Sequence, residues 1–304
     1  MELDLNSTGD MTYGTTDIVR LYYNDEIIWR KYHNQYLTIE TLSYVVLSCT
    51  KDIYYQDYNY SNWTLLPAGT TVGLSSGNKY KIYANFTYDI NLEDYNQFTI
   101  SGNFNVYGNI MSLINGRNFV GTSNLDWDIF AKLFKNCTGL VSAENLILPK
   151  TTESYCYEWM FQGCTSLTAT PELPALKLSA GCYHGMFYGC NSLINAPALP
   201  ATEVTDMCYY MMFSGCTSLT TAPELRATRL WYYCYSEMFD GCHSLNYVKC
   251  LATNPTYNGT TIYTNYWLSN VASTGTFVKK AGVTWPTGNI GDSGIPSGWT
   301  VISV

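Results

Sequence analysis

Eleven cysteines, three histidines and one tetrapeptide are the residues with chemistry to offer. Gly291-Asp292-Ser293-Gly294 has the letters of a chymotrypsin-like nucleophile loop, where the serine needs a histidine base and a buried aspartate. His33, His184 and His243 lie in no catalytic-histidine motif, and the tetrapeptide runs straight into Ile295-Pro296, so it reads as a loop. Eight cysteines form C-x7-C pairs without a histidine partner, which is not zinc spacing. His184 and His243 fall at different phases of a repeat and cannot share an ion by stacking. Glycoside hydrolysis would need two carboxyl groups facing each other across a cleft. Only Glu172 and Glu224 recur in phase, two copies apart, and they read as a solvated edge. There is no glycine-rich phosphate loop, H-E-x-x-H or nucleophile elbow. The expectation is a protein that is not an enzyme and holds no metal or cofactor.

What the cysteines mark is a period. CYEWMFQGCTSL, CYHGMFYGCNSL, CYYMMFSGCTSL and CYSEMFDGCHSL begin at Cys156, Cys182, Cys208 and Cys234, 26 residues apart. Their second cysteines are Cys164, Cys190, Cys216 and Cys242, and a degenerate copy, LFKNCTGL, places Cys137 27 residues before Cys164. Fixed self-similarity of this length means units that stack because none can bury its apolar face alone. Stacking puts the eight cysteines in two rows, read as ladders of small buried side chains, with disulfides as the alternative.

The elements that must position these residues follow from the spacing. Cys-Tyr-x-x-Met-Phe places apolar residues at i, i+4 and i+5, one face of a short helix. Gly163, Gly189, Gly215 and Gly241 then stand where a helix C-cap wants a left-handed residue. Leu167, Leu193, Leu219 and Leu245 open a short segment in which Pro171, Pro197 and Pro223 recur, as at the edge of a short strand. The fold class expected from the spacing is mixed α/β: a small all-β domain, then a solenoid with 26-residue coils and a C-terminal cap.

MFxGCxSL, APxLPAT and CY, with the closing GIPSGWTVISV, resemble the BspA-type leucine-rich repeat proteins of Bacteroides-type gut bacteria and their phages, crAss-like ones among them. The resemblance spans roughly residues 98 to 304, and WTLLPAGTTVGLSSGNKYKIYANF is similar to the β-rich unit that often precedes such repeats. It implies that the solenoid is a right-handed leucine-rich-repeat one, used for recognition or adhesion and without catalysis.

Ahead of the repeats, IVRLYYNDEIIWRKY places two strand-like runs around Asn24-Asp25, a hairpin signal. Short strands between turn signals from residue 36 to 86 suggest a small β-sandwich. The units expected are a polar arm and hairpin at 1–35 as an attachment element, a β-sandwich at 36–97, repeats with their lead-in at 98–255 and a cap at 256–304. The start, MELDLNSTGDMTYGTTD, shows neither basic nor apolar signal regions. Bacterial members of the family the chain resembles generally carry an export signal or lipid anchor, so the resemblance, with neither visible here, implies a phage member made in a host cytoplasm and assembled on a virion as a head or tail appendage. A bacterial surface or secreted adhesin is the alternative.

The net charge is −8, and without a basic stripe nucleic acid is not an expected partner. No run of about 20 apolar residues exists to span a membrane. The expected partners are other virion proteins through the N-terminal part, a host surface protein or polysaccharide, and further copies of the chain in a homo-oligomer. The contact residues should be aromatics that break the consensus. Trp231 stands where other copies have Glu153, Ser179 and Thr205, Tyr232 and Tyr233 where the second has Ala180 and Gly181, and Tyr210 where it has His184. Trp159 occupies the phase of Gly185. These five side chains either meet a partner or pack beneath the C-terminal cap.

Overall fold

The computed structural model describes residues 35–87, 95–256, 263–288 and 294–304 in full, and the backbone of four short strands between residues 11 and 30. Strand β1 (Met11–Tyr13) pairs antiparallel with β2 (Thr16–Ile18), and β3 (Arg20–Tyr23) with β4 (Glu26–Arg30). The histidine His33 and the stretch Gly291-Asp292-Ser293 lie outside the described residues.

Eight strands follow: β5 (Leu37–Thr41), β6 (Val45–Cys49), β7 (Ile53–Asp57), β8 (Thr64–Leu66), β9 (Thr71–Leu74), β10 (Lys79–Tyr83), β11 (Phe98–Ser101) and β12 (Phe104–Asn109). One sheet runs β12-β5-β10-β7-β8, antiparallel throughout, and a second runs β11-β6-β9. Alternation decides which face is buried: Tyr80 and Ile82 of β10 point into the core while Lys79 and Lys81 point away. Leu37, Ile39, Val45, Leu47, Phe98 and Val106 draw both sheets onto one apolar core. Strands β11 and β12, expected as the lead-in to the repeats, complete these sheets. The larger sheet then passes into the repeats, because β12 also pairs in parallel with β13 (Leu140–Ser142) and β14 (Leu146–Ile147).

The mixed α/β leucine-rich-repeat solenoid expected from the spacing and the resemblance is not what forms. No α-helix occurs among the described residues; the helical segments are two single 3-10 turns, Ile110–Leu113 and Gly116–Asn118. Nor does a continuous sheet close the coils. Between β14 and β15 (Tyr247–Cys250) the strand side is reduced to isolated bridges such as Ser142↔Ala169, Asn195↔Thr221 and Thr221↔Tyr247. The chain is nearly all β and turn, in several small sheets.

In place of each helix stands a ribbon of overlapping turns. Along 156–164, alternate amides bond within the copy: Glu158 N donates to Tyr155 O at 2.9 Å and Gln162 N to Trp159 O at 3.1 Å. The intervening amides donate to the next copy, Tyr157 N to Cys182 O at 3.0 Å and Phe161 N to Met186 O at 2.9 Å. A left-handed residue recurs every fourth position, at Tyr155 (φ 55°), Trp159 (φ 53°) and Gly163 (φ 71°), which no α-helix tolerates. Gly163, Gly189, Gly215 and Gly241 are left-handed as expected of a cap, but they close a ribbon, not a helix. The apolar residues at i, i+4 and i+5 suit a period of four as well as one of 3.6, so the same letters served two backbones.

Copies are joined through matched rings and thiols. Phe161, Phe187, Phe213 and Phe239 stack at 5.5–5.7 Å with planes within 6°. Tyr157, Tyr183, Tyr209 and Tyr235 form a second column at 5.7–6.0 Å. Such pairs add about 0.5–1.5 kcal/mol each beyond the area they bury. The thiols of Cys164, Cys190, Cys216 and Cys242 donate to Phe134, Phe161, Phe187 and Phe213 carbonyls of the preceding copy at 3.0–3.2 Å.

The last copy passes onto a turn segment at 263–272 that repeats the ribbon: Tyr235 N donates to Tyr263 O, Phe239 N to Trp267 O, and Tyr266 and Asn270 are left-handed. Beyond it β15, β16 (Gly275–Lys279) and β19 (Trp299–Ser303) form a parallel sheet, beside a pair of two-residue strands, β17 (Thr287–Gly288) and β18 (Ile295–Pro296). Trp267 and Trp285 stack at 5.2 Å beneath it.

Candidate recognition surface

The four-residue period of the ribbon sends two side chains in and two out. Cys156, Tyr157, Met160, Phe161 and Cys164 are buried, while Glu158, Trp159, Gln162 and Gly163 face outward. Stacked copies therefore tile an outer face, with each outward phase forming a row. All eight repeat cysteines are free and buried, as are Cys49, Cys137 and Cys250. Burial pushes the Cys208 and Cys216 thiols up to about 12.

The outer face carries a chain of rings running from copy to copy. Trp159 contacts His184 at 4.5 Å and Tyr188 at 5.5 Å between centroids. His184 contacts Tyr210 at 4.9 Å, Tyr210 contacts Tyr233 at 6.2 Å, and Tyr233 meets Tyr232 edge-on at 4.3 Å. Carboxylates punctuate it. Tyr210 Oη donates to Glu237 Oε1 at 3.1 Å, and Tyr232 N donates to Asp206 Oδ1 at 3.0 Å. Burial, then the Glu237 carboxylate, pushes the Tyr210 hydroxyl up to about 12. Glu158 Oε1 lies 2.8 Å from His184 Nδ1, but the approach is poorly aligned and neither ring nitrogen of the buried imidazole makes a hydrogen bond.

The structure thus brings Trp159, Tyr210, Tyr232 and Tyr233 into one connected array. Trp231, 46% exposed, stands beside it with the Arg229 guanidinium 4.9 Å over its ring. Tyr232 is 48% exposed, whereas Trp159, Tyr210 and Tyr233 are half-buried. Trp159 has a packing role as well. A Cβ on Gly185 would run into Trp159 Cε3, and one on Gly181 into Tyr155 Cε1. The two consensus-breaking glycines of the second copy are the seats of two rings from the first.

Sequence reasoning missed Asp206, Tyr188 and Glu237 as neighbours of the aromatics. The signal was the period of four, which puts 206, 210, 233 and 237 on one face only if the segment is not helical. Glu224 is ion-paired with Lys249 at 2.7 Å and Arg226 at 3.3 Å, and Lys249 holds its carboxyl below the usual range. A carboxylate so committed is no poised general acid. Among the described residues no cluster of three His, Cys, Asp or Glu side chains could hold a metal ion, and no helix is long and apolar enough to cross a membrane.

No family model matches the chain, and neither a curated protein nor a solved structure matches it.

Proposed function

We propose that the chain is a non-enzymatic recognition protein, a phage virion appendage in which residues 1–35 dock to other virion proteins and the outer face of the stacked turns meets a surface protein or glycan of the host. The observation that carries this reading is the row of contacting rings from Trp159 to Tyr232, partly exposed except at the buried His184 and punctuated by Asp206 and Glu237. Rings with an apolar face and a hydroxyl tip, next to carboxylate acceptors, suit both protein hot spots and sugar rings. The likeness of MFxGCxSL and the closing GIPSGWTVISV to repeat proteins of gut Bacteroides-type bacteria and their phages supports the virion setting.

The triple substitution Trp231→Ser, Tyr232→Ala and Tyr233→Gly, which copies the second repeat, tests the surface. Binding of the labelled full chain to gut Bacteroides-type cells should fall by about tenfold or more, the loss of one hot-spot aromatic being about 2 kcal/mol. The melting temperature should hold, since Trp231 and Tyr232 are about half exposed. Undiminished cell binding would overturn the assignment.

A further inference from the structure

The outward face of the larger N-terminal sheet carries an arrangement that the recognition surface on the repeats does not use. Lys79, Lys81 and Tyr83 are alternate positions on one side of β10, about 7 Å apart by the rise of an extended strand, with Tyr83 itself buried. Each position presents a cation seated on a ring. Lys79 Nζ lies 5.9 Å from the Tyr107 centroid and Lys81 Nζ 4.5 Å from that of Tyr58. The Arg117 guanidinium lies 5.2 Å from the Tyr83 ring and 5.7 Å from Trp63, and its Nη2 donates to Tyr83 Oη at 3.3 Å. Of the three, Lys79 faces a carboxylate, Glu40, at 3.5 Å. Lys81 and Arg117 have no carboxylate partner among the described residues.

Two cations without a carboxylate partner among the described residues, and a third paired with one, in line on one face, stand out in a chain of net charge −8. Residues 1–100 hold twelve acids against six bases, a difference of −6. The rings beneath support the long cationic stems, so less side-chain freedom is lost when an anion arrives. Gln56, opposite Lys81 on β7, adds an amide to the same face. A guanidinium presents a fork matched to a carboxylate, and amide and phenol groups suit sugar hydroxyls.

We propose that this face binds a linear polysaccharide bearing carboxylates, with Arg117 and Lys81 as the principal contacts and Lys79 as a weaker third. Single-stranded nucleic acid fits less well, because it needs open ring faces for its bases and these rings are occupied by the cations. The site is independent of the aromatic array on the repeats, so either can fail without the other.

The test is affinity electrophoresis of the full chain through gels holding polygalacturonate, dextran, dextran sulfate or oligothymidylate. Polygalacturonate should retard the protein and neutral dextran should not. Retardation should vanish as salt rises from about 0.01 M to about 1 M, where the screening length falls from about 30 Å to about 3 Å. Lys81→Gln with Arg117→Gln should weaken binding by about tenfold or more, the loss expected when charge-assisted contacts go. If the double variant melts early, Lys81→Gln alone must still weaken it. The Trp231, Tyr232 and Tyr233 triple variant should bind polygalacturonate as the parent does. Salt-insensitive binding, tighter retention by oligothymidylate or dextran sulfate, parent-like binding of the double variant, or loss in the triple variant would each overturn the proposal.

Discussion

Asp128 sits in the first turn ribbon in a left-handed conformation, φ 53°, near Glu158 of the next copy. Burial, reinforced by the Glu158 charge, pushes its carboxyl up to about 6 from an ordinary 3.8. Between those values the folded chain holds a proton that the unfolded chain has released, so stability falls as pH rises through the window. Asp128→Asn keeps a side chain that tolerates the left-handed region and removes the titration. It should raise the melting temperature at pH 7 and flatten its decline between about pH 4 and 6. Asp128 is only half-buried, so water screens the effect to about 1 kcal/mol or less. An unchanged slope in the variant would assign the titration to another group. Among the cysteines, Cys49 is pushed only to about 11, below its neighbours in the repeats. A thiol reagent at rising pH should label Cys49 first, with all eleven reacting after unfolding without reductant. Fewer than eleven would reveal disulfides.

At the scale of the element, the ribbon depends on what its glycines leave room for. Gly185 and Gly189 are both left-handed, φ 56° and 70°, but only Gly185 lies under a ring, whereas a Cβ on Gly189 meets nothing within 4 Å. Gly189→Ala should thus cost only the conformational strain, about 1 kcal/mol. Gly185→Ala should cost clearly more, and Trp159→Ala in the same chain should recover the excess. Equal losses from the two glycine substitutions, measured by denaturant unfolding, would show that Trp159 yields without cost. The sequence revealed the period, the in-phase cysteines and the turn glycines because those are matters of spacing. It did not reveal the backbone, since Cys-Tyr-x-x-Met-Phe offers the same buried pairs to a helix and to a ribbon. The sixth copy at 263–272 was hidden for a related reason: it keeps the ribbon's hydrogen bonds and left-handed residues, Tyr266 and Asn270, but has Trp267 and Val271 where others have Met and Cys. The consensus-breaking aromatics were legible one by one, their companions Asp206 and Glu237 only once the four-residue face was known.

Across the whole molecule, the N-terminal sheets, the turn ribbons and the C-terminal parallel sheet share one contiguous core among the described residues, so the loss of one buried side chain should spread along the stack. Leu193 is fully buried in the second cysteine repeat. Leu193→Ala should cost about 2–5 kcal/mol, the usual range for emptying such a site. Hydrogen exchange should quicken in the copies on either side, because each rests on the next. Faster exchange confined to residues 182–204 would show that the copies fold independently.

The alternation of amides within each ribbon has a mechanical consequence. Every second N–H holds its neighbour and not its own copy, so tension applied between the chain ends loads a row of parallel hydrogen bonds at each seam. The seams among the four cysteine repeats are alike, and each is separated from the next by 26 residues of chain. One seam giving way releases about 90 Å of extended polypeptide, after which the next is loaded afresh. A chain built this way yields in near-equal instalments under a sudden pull, and whatever it holds slackens stepwise rather than breaking free at once.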